Sequence, residues 1–153
     1  MKPILSLVFA GLLAGPLAAQ EVLSNGGQPA PESIVIEGND VDLKQFLWEK
    51  RPLVVFADSP YDPQFVRQME LLTRELDELI ERDVVILTDT DPDAKSALRD
   101  QLRPRGFMLA LIVKDGTIYL RKPVPWDVRE ISRTIDKLPM REQEIEDRRG
   151  LSN

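Results

Sequence analysis

The chain predicts an α/β (α+β) fold, a four-stranded mixed sheet with helices on both faces in the order β-α-β-α-β-β-α. Three observations carry that expectation. Leu53–Ala57 (LVVFA) and Val84–Leu87 (VVIL) are continuous apolar runs of strand length, as expected of strands covered on both faces. Between them, Phe65, Met69, Leu72, Leu76 and Leu79/Ile80 recur at steps of three and four, with charged residues opposite, which predicts one amphipathic helix to about Arg82. Downstream, Asp115-Gly116 separates two further strand-like stretches and predicts a type I′ hairpin. An antiparallel hairpin in place of another crossover argues against a Rossmann or flavodoxin-like sheet.

The remaining elements follow in order. Asp42 to Gln45 reads as a capping box that opens a short helix, Asp42 to Glu49, with Trp48 packing at its end and Pro52 stopping it. Glu70/Arg74 and Glu78/Arg82 are favourable i,i+4 pairs on the long helix. Asp91-Pro92-Asp93 offers an N-cap, an N1 proline and an acidic first turn, predicting a helix from Asp93 to Leu102. Phe107 to Val113 and Thr117 to Arg121 are the third and fourth strands. Trp126 and Ile131 staple a helix from Asp127 to Lys137, whose Asp127 and Glu130 form its capping box. Met140 to Arg149 reads as a short polar surface helix, with Gly150 as a stop.

The first residues, Met1-Lys2-Pro3 followed by ILSLVFAGLLA and a small-residue stretch to Ala19, have the order of a secretory signal. Cleavage after Ala19 is expected, although Leu17 makes an imperfect small-x-small site. An uncleaved anchor is the rival, yet the apolar run is too short to span a hydrocarbon core of about 30 Å. Residues 1–19 are therefore read as signal, 20–40 as a flexible lead-in rich in Gly and Pro, and 41–149 as one domain with a short C-terminal helix. Export places the protein in the periplasm or outside the cell, with no stable membrane insertion after cleavage.

The chain has 153 residues with 20 Lys+Arg against 26 Asp+Glu. Loss of the signal removes only Lys2 among them, leaving 19 basic against 26 acidic residues, a net −7. Such a balance repels phosphate backbones and anionic lipid, so nucleic acid is not an expected partner. There is no cysteine and no histidine. Thiol redox chemistry, peroxide reduction, histidine-based dyads and triads, and Cys/His-ligated zinc or haem are thereby excluded, and no cofactor is expected.

One stretch sharpens the fold. Gly106-Phe107-Met108-Leu109-Ala110-Leu111-Ile112-Val113-Lys114-Asp115-Gly116 resembles the thioredoxin segment that runs glycine, aliphatic, cis-proline, threonine, four apolar residues, lysine, polar, glycine. In that register Met108 stands at the cis-proline position. The turn Asp58-Ser59-Pro60-Tyr61-Asp62-Pro63 stands where thioredoxins keep C-x-x-C. More widely, Arg51–Ala57, Glu81–Val85, Gly106-Phe107 with Lys114–Gly116, and Ile135–Arg141 resemble a family of exported thioredoxin-like domains of unknown function, found in proteobacteria and in some vertebrate extracellular matrix and sushi-repeat proteins. The resemblance implies a peroxiredoxin/thioredoxin-like fold and brings no reaction with it.

Three residue groups are candidate sites. Asp89-Thr90-Asp91-Pro92-Asp93 superficially resembles the start of a calcium loop, but Ala94 and Asp100 stand where that loop needs Gly and Glu, and capping already accounts for Asp91 and Asp93. Asp58 and Asp62 bracket the redox-turn position as a carboxylate pair beside Ser59 and Tyr61, although Asp, Ser and Pro are also ordinary turn formers. The third group follows from the fold. A thioredoxin-like sheet brings the turn from Asp58, the loop from Arg103 and the loop from Lys122 to one end, gathering Tyr61, Arg103, Arg105, Phe107, Lys122 and Trp126 around a helix N-terminus.

The reading of this third group that invokes no function pairs Arg103 and Arg105 with Asp58 or Asp62, and leaves Phe107 in the core and Trp126 as a staple. The functional one is a non-catalytic binding module for a periplasmic protein or peptide. A cysteine-independent enzyme or small-anion binder at the same end is the alternative, and a purely structural envelope protein is a third.

Overall fold

The structure, a computed structural model, describes residues 34–151. The signal reading of residues 1–19 and most of the lead-in lie outside the described residues. Five strands form one sheet: β1 (Val35–Glu37), β2 (Arg51–Phe56), β3 (Val84–Asp89), β4 (Met108–Ile112) and β5 (Ile118–Lys122). Their order across the sheet is β1-β3-β2-β4-β5, with β1, β3 and β2 parallel and β4 and β5 antiparallel. The helices are α1 (Pro63–Arg74), α2 (Leu76–Ile80), α3 (Ala97–Leu102), α4 (Val128–Asp136) and α5 (Pro139–Gly150), with 3-10 turns at Leu43–Phe46 and Pro92–Ala94.

Alternation along β2 explains the unbroken apolar runs. Leu53 and Val55 face one layer with Leu72, Leu79, Ile131 and Ile135, while Val54 and Phe56 face the other with Leu98 and Leu102. Both faces are covered, so neither alternating set of residues faces water and the run is apolar throughout. Each such fully buried Leu, Ile or Phe contributes roughly 1.5–3 kcal/mol through loss of hydrated apolar surface.

Several expectations are corrected. The sheet has five strands, the fifth being β1, inside the stretch read as flexible lead-in. Its hold is distant in sequence, Val35 lying beside Ile86 and Ile34 O accepting from Ile86 N at 2.6 Å, so no local pattern announces it. The single long helix is broken at Glu75 (φ −132, ψ 43) into α1 and α2. Both pieces keep the predicted apolar face, and the second delivers Arg82 to Asp136 of α4 at 2.8 Å. Arg82 also takes Glu78 at 2.9 Å as expected, whereas on α1 it is Arg67 that meets Glu70, at 3.3 Å.

The helix expected from Asp93 begins late. Asp91 caps only a 3-10 turn, Lys95 turns left-handed (φ 48), and Ser96 caps α3 afresh by accepting from Arg99 N at 3.2 Å. Ser96 also donates to buried Asp89, which fixes the cap at Ser96. The hairpin is a three-residue loop and not a type I′ turn. Only Gly116 has positive φ (88), Gly116 N donates to Val113 O, and Val113 N donates to Thr117 O, each at 2.9 Å, giving a turn closed by one left-handed residue.

Trp48 does not pack. It is 66% exposed in a left-handed conformation (φ 67), and its backbone N–H, donated to Lys114 O at 2.7 Å, is what anchors it. Pro52 lies buried within β2. The polar C-terminal helix α5 buries Arg141, so it is not merely a solvated face.

Candidate functional site

The register Phe56↔Met108 and Leu109↔Lys122 brings three loops to one end of the sheet: the turn after β2, the loop before β4 and the loop after β5. In the first, Asp62 caps α1, its Oδ1 accepting from Gln64 N at 2.7 Å and Phe65 N at 3.4 Å, with Pro63 at the first helical position. Ser59 Oγ accepts from Tyr61 N at 3.2 Å, and Tyr61 itself is 87% exposed. The helix N-terminus offered by the fold for an anion is thus occupied by the chain's own carboxylate.

Beside it lies a cationic recess of about 460 Å³. Arg103, Arg105, Arg121 and Lys122 line it, over Phe107, Met108 and Pro123. Left-handed Arg103 (φ 47) and Gly106 (φ 62) bracket Pro104-Arg105 and reverse the chain there. Gly106 sits against Asp58, where a Cβ would stand 3.9 Å from Oδ2. No carboxylate lines the recess. Among the described residues Arg103, Arg105 and Arg121 form no ion pair, so the pairing with Asp58 or Asp62 does not occur. Lys122 Nζ lies 4.5 Å from the Trp126 ring centroid, a cation–π contact that holds it in place. Trp126 packs against the core and exchanges two backbone hydrogen bonds with the Gln68 side chain, both 2.8 Å.

A fourth arginine near this end is held by the fold. Arg99 donates to Asp89 Oδ1 at 2.8 Å and to Ala57 O at 2.7 Å, tying the ends of β2 and β3 together over the Phe56 ring. Asp89 is 1% exposed and also accepts from Ser96. Of the calcium-like run, Asp89 is therefore held by Arg99 and Ser96, and Asp91 by Asp93 N at 3.0 Å. Among the described residues no group of three or more acidic side chains is arranged to hold a metal ion.

The opposite end of the sheet carries a buried ion network. Glu144 on α5 receives Arg51 at 2.9 Å, Lys114 at 2.9 Å and Arg141 at 3.4 Å. Lys114 also meets Asp83 at 2.8 Å, and Arg141 meets Glu81 at 3.3 Å. Burial works to raise the Glu144 pKa, but the hydrogen bonds and charges of Arg51 and Lys114 outweigh it and lower the carboxyl to about 2. Arg51 and Arg141 are each 1% exposed, and the Nε of each lacks a hydrogen-bond partner. This network is architecture: it clamps α5 to the strand ends.

Residues 42–144 match the family described as "Domain of unknown function (DUF4174)". The chain belongs to the DUF4174 family. Among solved structures, a reduced 2-Cys peroxiredoxin of Plasmodium vivax superposes with a TM-score of 0.55 at 19% identity, covering 67% of this chain and 85% of that one. An N-terminally modified Prx1a of Plasmodium yoelii gives 0.52 at 20% identity, covering 67% and 81%. These likenesses establish the thioredoxin-like fold. No curated protein matches the chain.

Within this DUF4174 domain, four of the six residues named from sequence, Arg103, Arg105, Phe107 and Lys122, line one recess. Phe107 is 5% exposed and forms its floor. Trp126 stands beside the recess through Lys122, and Tyr61 is not among its lining residues. Met108, Arg121 and Pro123 were missed as lining residues. The signal for Arg121 was available, since a strand ending in consecutive basic residues beside a basic loop places like charges together once β5 pairs with β4. The segments that carry the family resemblance supply Arg51, Glu81, Asp83, Lys114, Asp136 and Arg141, most of the network at the far end from the recess.

Proposed function

We propose that this DUF4174 domain is an exported, non-catalytic binding module that holds a protein or peptide partner at the recess of Arg103, Arg105, Arg121 and Lys122. The observation that carries this reading is a set of arginines without counter-charge around an apolar floor, in a chain whose acids outnumber its bases. Unpaired, loop-fixed arginines beside apolar surface are the composition of an interaction hot spot. Engagement of Asp62 as a helix cap takes one member of the Asp58/Asp62 pair out of acid–base work, and the lack of cysteine and histidine leaves this end without a thiolate or imidazole.

The test is crosslinking in the exported compartment followed by capture. The wild-type chain enriches one protein, and Arg103→Ala with Arg105→Ala loses it. Equal capture by the double variant rejects this surface. The same unpaired cations favour a second reading, a small-anion binder. A thermal-shift series with phosphorylated and carboxylate metabolites separates the two, because a ligand selective for the native state raises its melting point. Export rests on the signal pattern of residues 1–19, and an intact mass beginning at Gln20 after expression in a bacterial host is its expected signature.

A further inference from the structure

Resting on that reading of the recess, we propose that the partner is an acidic extended segment that adds to the outer edge of β5 as a sixth strand, its carboxylates entering the Arg103/Arg105/Arg121/Lys122 recess. β5 ends the sheet on its side, and among the described residues only β4 pairs with it. Alternate backbone N–H and C=O groups on its outer side therefore lack a strand partner and offer a template for main-chain pairing. Ile118 and Tyr119 on this edge are exposed, so side chains of an added strand meet apolar surface before reaching the recess. The recess is continuous with the edge, because Arg121 and Lys122 are the last two residues of β5 and Pro123 follows them.

Charge selects the occupant. The β5 edge of a second copy, Ile118–Lys122, carries Arg121 and Lys122 and no acid, so pairing edge to edge brings the recess no counter-charge. An acidic strand meets four cations and no competing carboxylate. The β4–β5 register slips between Leu111 and Ile112, passing over Tyr119, so regular alternation holds over Leu120–Lys122, where an Asp or Glu of the added strand set opposite Arg121 falls on its face. Pro104 and the left-handed residues Arg103 and Gly106 hold the reading loop in place, which lowers the ordering entropy of binding.

The experiment measures anisotropy of a short fluorescein-labelled peptide of alternating valine and glutamate against the purified domain at low salt. Binding is expected, with hydrogen exchange slowed at the amides of Ile118–Lys122. Three changes are each expected to weaken it about tenfold or more: N-methylation of alternate amides on one edge of the peptide, replacement of its glutamates by lysines, and Arg103→Ala with Arg121→Ala in the domain. Equal binding by the N-methylated or the lysine peptide overturns the inference, as does displacement by inorganic phosphate or a single-stranded oligonucleotide at matched concentration. Failure of the glutamate peptide to bind also overturns it. If the crosslinked partner still depends on Arg103 and Arg105 in that case, the recess reading survives and only the acidic-strand assignment falls. If that dependence is absent too, both fall.

Discussion

Arg51 at the start of β2 and Glu144 on α5, 93 residues apart in sequence, meet at 2.9 Å with the arginine 1% exposed. The same guanidinium donates to Arg82 O at 2.9 Å, and Lys114 closes on the same Glu144 oxygen. One carboxylate therefore neutralises buried cations from β2, from the hairpin and from its own helix. Removing it strands them. Glu144→Ala is expected to lower unfolding stability by about 3 kcal/mol, the scale for breaking a buried ion pair from one side. Urea denaturation followed by circular dichroism reads the change, and a loss below about 1 kcal/mol would show that water replaces the carboxylate.

The same contact sets an acid response. Glu144 has its folded pKa lowered to about 2 from 4.5, so between those values the unfolded chain binds the proton and the folded one does not. Its stabilisation is complete above about pH 4.5 and is lost as pH falls toward 2, amounting to about 2–3 kcal/mol. Urea midpoints measured from pH 5 to pH 2 are expected to fall more steeply in the wild-type chain than in Glu144→Gln. Parallel slopes would mean that other carboxylates carry the response.

The arginines divide into structural and surface ones. Arg99→Ala leaves the carboxylate of Asp89, 1% exposed, without its cation, and is expected to cost about 3 kcal/mol. Arg103→Ala, Arg105→Ala and Arg121→Ala break no ion pair among the described residues and are expected to stay within about 0.5 kcal/mol of wild type. Melting curves of the four single variants test the division. A large loss at Arg105 would make the recess part of the architecture.

Glycine is required at the hairpin and optional at the C-terminal helix. Gly116 has φ 88, and a Cβ there would approach Leu47 Cδ2 to 2.9 Å, so Gly116→Ala is expected to destabilise by about 1–2 kcal/mol. Gly150 does not stop α5 but is its last helical residue, with Leu151 as the C-cap and nothing within 4 Å of an added Cβ, so Gly150→Ala is expected to be neutral or stabilising by up to about 0.5 kcal/mol. Thermal unfolding of the two variants side by side gives the contrast.

The strand runs, the apolar faces of α1, α2 and α4, and the caps at Asp42 and Asp127 were legible because each depends on neighbours within a few residues. Legible for the same reason was the loss of thiol chemistry, which is a matter of residue type alone. The elements misread are those settled by partners outside their own segment. β1 needs β3 beside it, the second cap at Ser96 needs Asp89, and Trp48 turns outward because its backbone, not its ring, reaches Lys114.

The site shows the same split. Sequence alone determined that arginines, a lysine and an aromatic residue flank the loops of a thioredoxin-like sheet, and that no cysteine or histidine could work there. Tertiary structure decided which cations are neutralised: Arg51, Arg82, Arg99 and Arg141 find carboxylates, while Arg103, Arg105 and Arg121 gather around one recess without any. Charge is written residue by residue, but its neutralisation is a property of distance, and only the folded chain sets the distances.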